Sequence, residues 1–89
     1  MRSMRLAFSS EGVRSLSSLG VGVRGVIVEV RSSSDGRADR LLSMGVTPGA
    51  SVTVLQTFPG FVFLCDLTEL AVERSVADAI LVRVRESES

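Results

Sequence analysis

The chain has 89 residues, which is enough for one domain with a thin core. Ten arginines balance ten acidic residues, and this neutral charge argues against a nucleic-acid-binding module, which usually carries a basic surface. No apolar run approaches the roughly 18 residues of a membrane span. The N-terminus lacks the apolar region of a signal peptide, so we expect a soluble, cytoplasmic protein. The lone cysteine, Cys65, excludes an internal disulfide.

The residue types favour a β structure. Hydrophobic residues make up 45% of the chain and aromatic residues only 4%, so the core is built from valine, leucine, isoleucine and alanine. Abundant valine is typical of strands. We expect residues 1–15 to be a flexible leader, residues 16–85 to form the domain and residues 86–89 to be a polar tail.

The first strand is predicted over Val21–Arg31, which is rich in β-branched residues. Gly22 and Gly25 within it indicate a bend or a bulge. A polar loop over 32–36 then leads into a short helix. We expect three apolar side chains to pin this helix to the core: Leu41, Leu42 and Met44.

Gly45 follows the helix directly and is predicted to end it in the left-handed conformation. The turn at Pro48-Gly49 then starts a strand over Ser51–Thr57, in which Val52 and Val54 share one face. This strand and a second one over Phe61–Cys65 form a predicted hairpin with its turn at 58–61.

A third short strand is predicted over Thr68–Val72, after a tight reversal at Asp66 and Leu67. Ser75 with Asp78 three residues later resembles a capping box and predicts a single helical turn. Leu81–Val84 closes the sheet. Five short strands with one or two short helices are typical of a small, strongly bent barrel, because bending hides the sheet edges.

The central stretch carries a recognisable pattern of arginine, leucine, glycine and proline at fixed offsets. It reads Arg40-Leu41-x-x-Met44-Gly45-Val46-x-Pro48-Gly49, and Leu70-Ala71-x-x-x-x-Val76-Ala77-x-x-Ile80-x-Val82 follows. This pattern resembles the FeoA family and the related C-terminal domains of iron-dependent repressors. The resemblance runs over residues 16–84 and implies a mainly β fold, a five-stranded SH3-like barrel with one or two short helices.

The resemblance also implies a function. It indicates a cytoplasmic accessory or regulatory protein of bacterial ferrous iron uptake that binds the FeoB-type membrane GTPase transporter and is not itself an enzyme. The alternative is a stand-alone metal-responsive regulatory domain related to the repressors. We expect no nucleic-acid partner and no membrane span, and self-association into a homo-oligomer stays open.

Metal ligands are scarce for a protein linked to iron. There is no histidine, so a thiolate or imidazole cluster is not available. A weak divalent site for Fe²⁺ or a similar ion stays open, and its ligands would come from these carboxylates: Asp35, Asp39, Asp66, Glu69, Glu73 and Asp78. Cys65 is expected to be a small buried hydrophobe, since a nucleophile would need a base beside it.

Two kinds of surface are candidates for partner binding. One is a basic spot of Arg37, Arg40 and Arg74, although a helix surface on which these arginines pair with Asp39 and Glu73 is the favoured interpretation. The other is an apolar patch around the hairpin turn, formed by Phe58, Phe61 and Phe63. Phe58 is expected outside, whereas burial in the core is at least as well supported for Phe61 or Phe63. The residues selected for partner binding are Arg40, Phe58 and Phe61.

Overall fold

The computed structural model describes residues 12–31 and 36–85. Within these ranges two short helices, α1 (Arg37–Ser43) and α2 (Arg74–Asp78), and a 3₁₀ turn at Leu16–Ser18 accompany the strands. The strands are β1 (Val13–Ser15), β2 (Arg24–Val30), β3 (Ser51–Gln56), β4 (Phe61–Cys65), β5 (Thr68–Val72) and β6 (Ile80–Val84). No helix in the described part of the chain is long and apolar enough to cross a membrane.

The described strands form one antiparallel sheet in the order β1-β6-β2-β3-β4-β5. Strand β2 pairs with both β6 and β3, and its register against β6 shifts between Ile27 and Glu29. A second shift lies between Val54 and Gln56, where β3 pairs with β4. Irregularities of this kind bend a sheet and increase its twist. The predicted mainly β class is confirmed.

The predicted end of the leader and the predicted number of strands need correction. The predicted leader includes β1, because Val13 pairs with Arg83 and Ser15 pairs with Leu81. The sheet therefore has six described strands where five were expected. The remainder of the predicted leader, 1–11, and the predicted tail, 86–89, lie outside the described residues.

Alternation along β3 and β4 builds the centre of the core. Val52 and Val54 of β3 are buried, as are Phe61, Phe63 and Cys65 of β4. Side chains two apart in a strand lie on the same face, so these five residues form one apolar layer. The predicted hairpin of these two strands is confirmed.

The end of α1 is a Schellman motif centred on Gly45. The Gly45 N–H donates to the Leu42 carbonyl at 3.0 Å and the Val46 N–H donates to the Leu41 carbonyl at 2.9 Å. Gly45 has φ 92, which a residue without a Cβ adopts readily. Leu41 and Val46 are both buried, which adds the apolar contact typical of this motif. The prediction that Gly45 ends the helix is confirmed.

The predicted apolar face of α1 is wrong in two of its three members. Leu41 is buried, whereas Leu42 is 49% exposed and Met44 is 40% exposed. Neighbouring residues in a helix point about 100° apart, so a helix this short brings only one of the adjacent leucines onto the core. Met44 lies at the C-cap and is outside the helix.

The predicted capping box before α2 is also wrong. The helix starts at Arg74, and its N-cap is Glu73, whose side chain makes no capping hydrogen bond. The Asp78 carboxylate instead accepts a hydrogen bond from the Ser17 hydroxyl, which ties α2 to the 3₁₀ turn.

Gly25 is required for a different reason from Gly45. A Cβ at this buried position in β2 would lie 2.5 Å from the Arg83 carbonyl oxygen and 2.5 Å from Val82 Cγ1. Real Cβ atoms do not approach other atoms this closely. Glycine therefore allows β2 and β6 to cross at short range.

Candidate protein-docking site

The turn between β3 and β4 carries an exposed aromatic ring. Phe58 is 81% exposed, and Leu55 at the end of β3 is 41% exposed. The Gln56 side-chain amide donates to the Gly60 carbonyl at 3.3 Å across the base of the turn. Single exposed apolar side chains are common on protein surfaces, so the exposure of Phe58 makes it a candidate for binding and does not by itself establish a role.

Arg74 of α2 holds this turn in place. Its Nη2 donates to the Thr57 carbonyl at 3.1 Å, and its Nη1 donates to the Ser17 carbonyl at 3.1 Å. The guanidinium carbon also lies 5.9 Å from the centroid of the Phe61 ring. One side chain therefore connects α2, the 3₁₀ turn and the β3–β4 turn, and we call this set of contacts the Arg74 brace.

The structure separates the predicted partner-binding phenylalanines. Phe58 is exposed as expected, whereas Phe61 is 1% exposed and packs beside Phe63 with ring centroids 6.5 Å apart. The inward face of β4 contains Phe61, so its ring offers no surface to a partner and instead lies beneath Arg74. The role of Phe58 in binding stays a prediction.

Arg40 lies at the other end of β4 from Phe58. It is exposed on α1, and the end of α1 meets the end of β4 where the Cys65 Sγ lies 3.6 Å from the Gly45 carbonyl oxygen. Five residues of strand separate this point from the Phe58 turn, a distance of about 13 Å along β4. Arg74 is engaged at the Phe58 end, so it does not join Arg40 in the candidate basic spot, which the sequence had already disfavoured.

A second exposed apolar group lies at the Arg40 end and was not predicted. Leu67 in the turn between β4 and β5 is 95% exposed. Asp66 precedes it with φ 54, and the Asp66 Oδ1 accepts a hydrogen bond from the Ser51 N–H at 3.1 Å. The predicted tight reversal at Asp66 and Leu67 could have indicated this exposure, because side chains in so short a turn lie outside the sheet.

Cys65 is an unreactive thiol in the core. It is buried, and burial raises the pKa of this thiol above its ordinary value, with the Asp66 carboxylate adding a smaller contribution in the same direction. A nucleophilic cysteine requires the thiolate, which these surroundings disfavour. The prediction that Cys65 acts as a small buried hydrophobe is confirmed.

The carboxylates do not gather into a metal-binding set in the described ranges. No group of three or more histidine, cysteine, aspartate or glutamate side chains lies close enough there to hold a metal ion. Asp35, one of the predicted ligand candidates, lies outside the described residues. The weak divalent site stays a prediction.

Comparison with known proteins gives the family. A sequence model of the FeoA domain matches residues 14–84. A crystal structure of an iron uptake regulatory protein, FeoA, is 31% identical with a TM-score of 0.72, and the match covers 82% of this chain and 99% of that chain. The solution structure of the FeoA protein from Chlorobium tepidum is 27% identical with a TM-score of 0.73, covering 84% of this chain and 73% of that chain.

A manganese-dependent transcriptional repressor shares the fold alone. It is 18% identical with a TM-score of 0.75, and the match covers 82% of this chain and 42% of the repressor. No curated protein sequence gives a significant match to this chain. The antiparallel sheet with its two short helices is SH3-like, in agreement with these structures. The protein belongs to the FeoA family, whose role is in ferrous iron transport.

Proposed function

We propose that this protein is a cytoplasmic accessory and regulatory protein of bacterial ferrous iron uptake that acts by binding the FeoB-type GTPase transporter. Membership of the FeoA family supports the pathway. The observation that carries the proposed mode of action is Phe58, an exposed ring on a turn that the Arg74 brace holds in position. The proposed role is non-enzymatic and requires only a binding surface.

The geometry of the Phe58 turn suits a docking anchor. Aromatic side chains that fill a pocket of the partner commonly contribute most of the binding free energy of an interface. Ordering a mobile loop on binding opposes association, so a turn that is already fixed loses less free energy when it binds. The hydrogen bonds to the carbonyls of Thr57 and Gly60 supply this fixation.

Regulation follows if the transporter exists in more than one conformation. A bound protein shifts a conformational equilibrium only by the difference between its affinities for the two states. A tenfold preference for one state of the cytoplasmic GTPase region corresponds to about 1.4 kcal/mol. A single well-placed aromatic anchor is sufficient for a difference of this size.

The test uses calorimetry to measure the affinity of this protein for the isolated cytoplasmic GTPase domain of the transporter. We expect Phe58→Ala to weaken binding by about 2 kcal/mol, or roughly thirtyfold. Leu67→Ala is the matched control, because it removes another highly exposed apolar side chain, from the other end of β4, and is expected to bind like the unchanged protein.

A cellular measurement addresses the pathway itself. Deleting the gene is expected to reduce ferrous iron uptake, and the unchanged gene is expected to restore it better than the Phe58→Ala variant. Normal uptake in the deletion strain would contradict the proposed function. Equal loss of binding in Phe58→Ala and Leu67→Ala would contradict the proposed surface.

A further inference from the structure

Strand β5 leaves one edge of the sheet without a partner among the described residues. It pairs with β4 from Thr68 opposite Cys65 to Val72 opposite Phe61, and no other described strand adjoins it. None of the backbone hydrogen bonds given for turns, loops and caps in the described chain involves Thr68–Val72. Alternate residues of an edge strand direct their N–H and C=O groups away from the sheet, so β5 offers a row of backbone donors and acceptors.

This edge lacks the features that usually prevent strand pairing. Strand β5 has five residues, contains neither proline nor glycine, and keeps its register against β4 without a shift. The register shifts of the sheet lie in β2 and β3 instead. The opposite edge is β1, which has only three residues. Proline, bulges and very short strands commonly protect exposed edges, so β5 is the better template for another strand.

The two faces of β5 differ in chemistry. Thr68, Leu70 and Val72 share the inner face, where Leu70 and Val72 pack against the core but remain partly accessible. Glu69 and Ala71 share the outer face, and both are exposed. A strand paired to this edge therefore meets mainly apolar side chains on one face, and on the other a carboxylate beside a small side chain.

The sequence of β5 fits a second copy of itself in one antiparallel register. When a two-fold axis passes through Leu70, the inner faces of the two strands coincide, and Glu69 of each copy lies opposite Ala71 of the other. This arrangement places no acidic residue of β5 opposite another acid. It also brings the two Leu70 side chains together at the rim of the core.

The neighbouring registers are less favourable. An axis through Glu69 places that carboxylate opposite Glu69 of the second copy, and an axis through Ala71 places it opposite Glu73, which is also extended. Like charges directly opposite destabilise a sheet. A shift of one residue would pair inner-face residues of one strand with outer-face residues of the other. The register centred on Leu70 avoids both costs.

We infer that this protein self-associates through β5, with the antiparallel β5 strands of two copies joining their sheets edge to edge. A strand of five residues is about 17 Å long, so the contact is smaller than the roughly 1,000 Å² of a stable interface. The dimer is accordingly weak, with an expected dissociation constant of about 100 µM. It does not use the Phe58 ring and stands independently of transporter docking.

Sedimentation velocity of the full chain measures the association, from about 10 µM to about 1 mM protein in about 50 mM salt. Backbone amide shifts recorded over the same range identify the contact. We expect a monomer–dimer equilibrium whose concentration-dependent shifts are concentrated in Thr68–Val72. A mixture of isotope-labelled and unlabelled copies is expected to show an intermolecular contact between the two Leu70 side chains.

Opposite charges at Ala71 test the register. Ala71→Arg places an arginine opposite Glu69 of the second copy at both symmetry-related positions, and we expect it to tighten the dimer about fivefold. Ala71→Glu places a second acid there and is expected to weaken the dimer about fivefold.

The matched controls are Ser51→Arg and Ser51→Glu. Ser51 is also small and exposed, but it lies on β3, which already has a strand on each side. Both control variants are expected to leave the dissociation constant unchanged. Thermal melting verifies that each variant is folded.

Four results would overturn the inference. These are a monomer at about 1 mM, concentration-dependent shifts confined to residues outside β5, the same effect of Ala71→Arg and Ala71→Glu, or equal effects at Ser51 and Ala71. Phe58→Ala is expected to self-associate like the unchanged protein, and Ala71→Glu is expected to bind the transporter domain normally. Failure of transporter docking and failure of self-association are therefore separate outcomes.

Discussion

The two ends of β4 each present an exposed apolar side chain, but they are built differently. At one end Phe58 lies on a turn whose Thr57 carbonyl is bound by Arg74, a residue of another element. At the other end Leu67 lies in a two-residue turn held by local backbone geometry and by the Asp66 carboxylate. Both side chains are open to solvent.

Exposure alone therefore does not distinguish a docking anchor from an ordinary turn residue. A tight turn leaves its side chains outside whether or not they bind anything. A brace from a distant element, in contrast, fixes a loop that would otherwise lose conformational entropy on binding.

Removing the brace is expected to have the largest effect on stability. Arg74→Ala deletes hydrogen bonds to the carbonyls of Ser17 and Thr57 and the contact with the Phe61 ring. We expect a loss of about 2 kcal/mol in the free energy of unfolding, measured by urea denaturation. Arg31→Ala, an exposed arginine of the same type, is the control and is expected to stay within about 0.5 kcal/mol. Equal stability of the two variants would show that the brace contributes nothing.

The Leu67 end is expected to depend on backbone conformation. Gly45→Val places a β-branched residue at φ 92, where no neighbouring atom lies within 4 Å of an added Cβ, so the effect arises from the backbone alone. We expect a loss of about 1.5 kcal/mol, whereas Arg40→Ala on the surface of α1 changes little. Equal melting temperatures of the two variants would contradict this account.

Asp66 is expected to have a smaller effect at the same end. Asp66→Ala removes the acceptor for the Ser51 N–H and leaves an alanine at positive φ, and we expect a loss of about 1 kcal/mol. Asp66→Asn keeps a side-chain oxygen and tolerates this conformation, so it is expected to recover most of that loss in the same denaturation assay. A larger loss in the asparagine variant would exclude the hydrogen bond as the cause.

The smallest effects on stability are expected at the two exposed side chains themselves. Phe58→Ser and Leu67→Ser are each expected to stay within about 0.5 kcal/mol, because neither side chain is packed in the core. Calorimetry with the transporter domain then separates them, since only Phe58→Ser is expected to lose affinity. Unfolding of the Phe58 variant would place that ring among the structural residues.

Local sequence patterns were sufficient to predict the strands and turns of the hairpin region. Alternation of valine with polar residues identified β3, and glycine at the end of α1 identified the helix stop. Strand β1 was missed because its partner lies far along the chain, as Val13 pairs with Arg83. A pairing of this kind leaves no periodic signal in three residues.

The candidate site was harder to predict from the sequence than the strands were. Arg74 binds carbonyls at sequence separations of 57 and 17 residues, and backbone acceptors carry no residue-type signature. The orientation of Leu42 and Met44 depends on how α1 lies on the sheet, which its own pattern does not determine.

The buried Cys65 makes the protein well suited to selective chemical labelling. It is the single cysteine of the chain, and the raised pKa of its thiol keeps it protonated and slow towards maleimides at neutral pH. A new cysteine at an exposed turn, such as Leu67→Cys, therefore becomes the one fast-reacting position. Photo-crosslinkers attached there or at the Phe58 turn can report which end of β4 faces a partner while the native thiol stays in place.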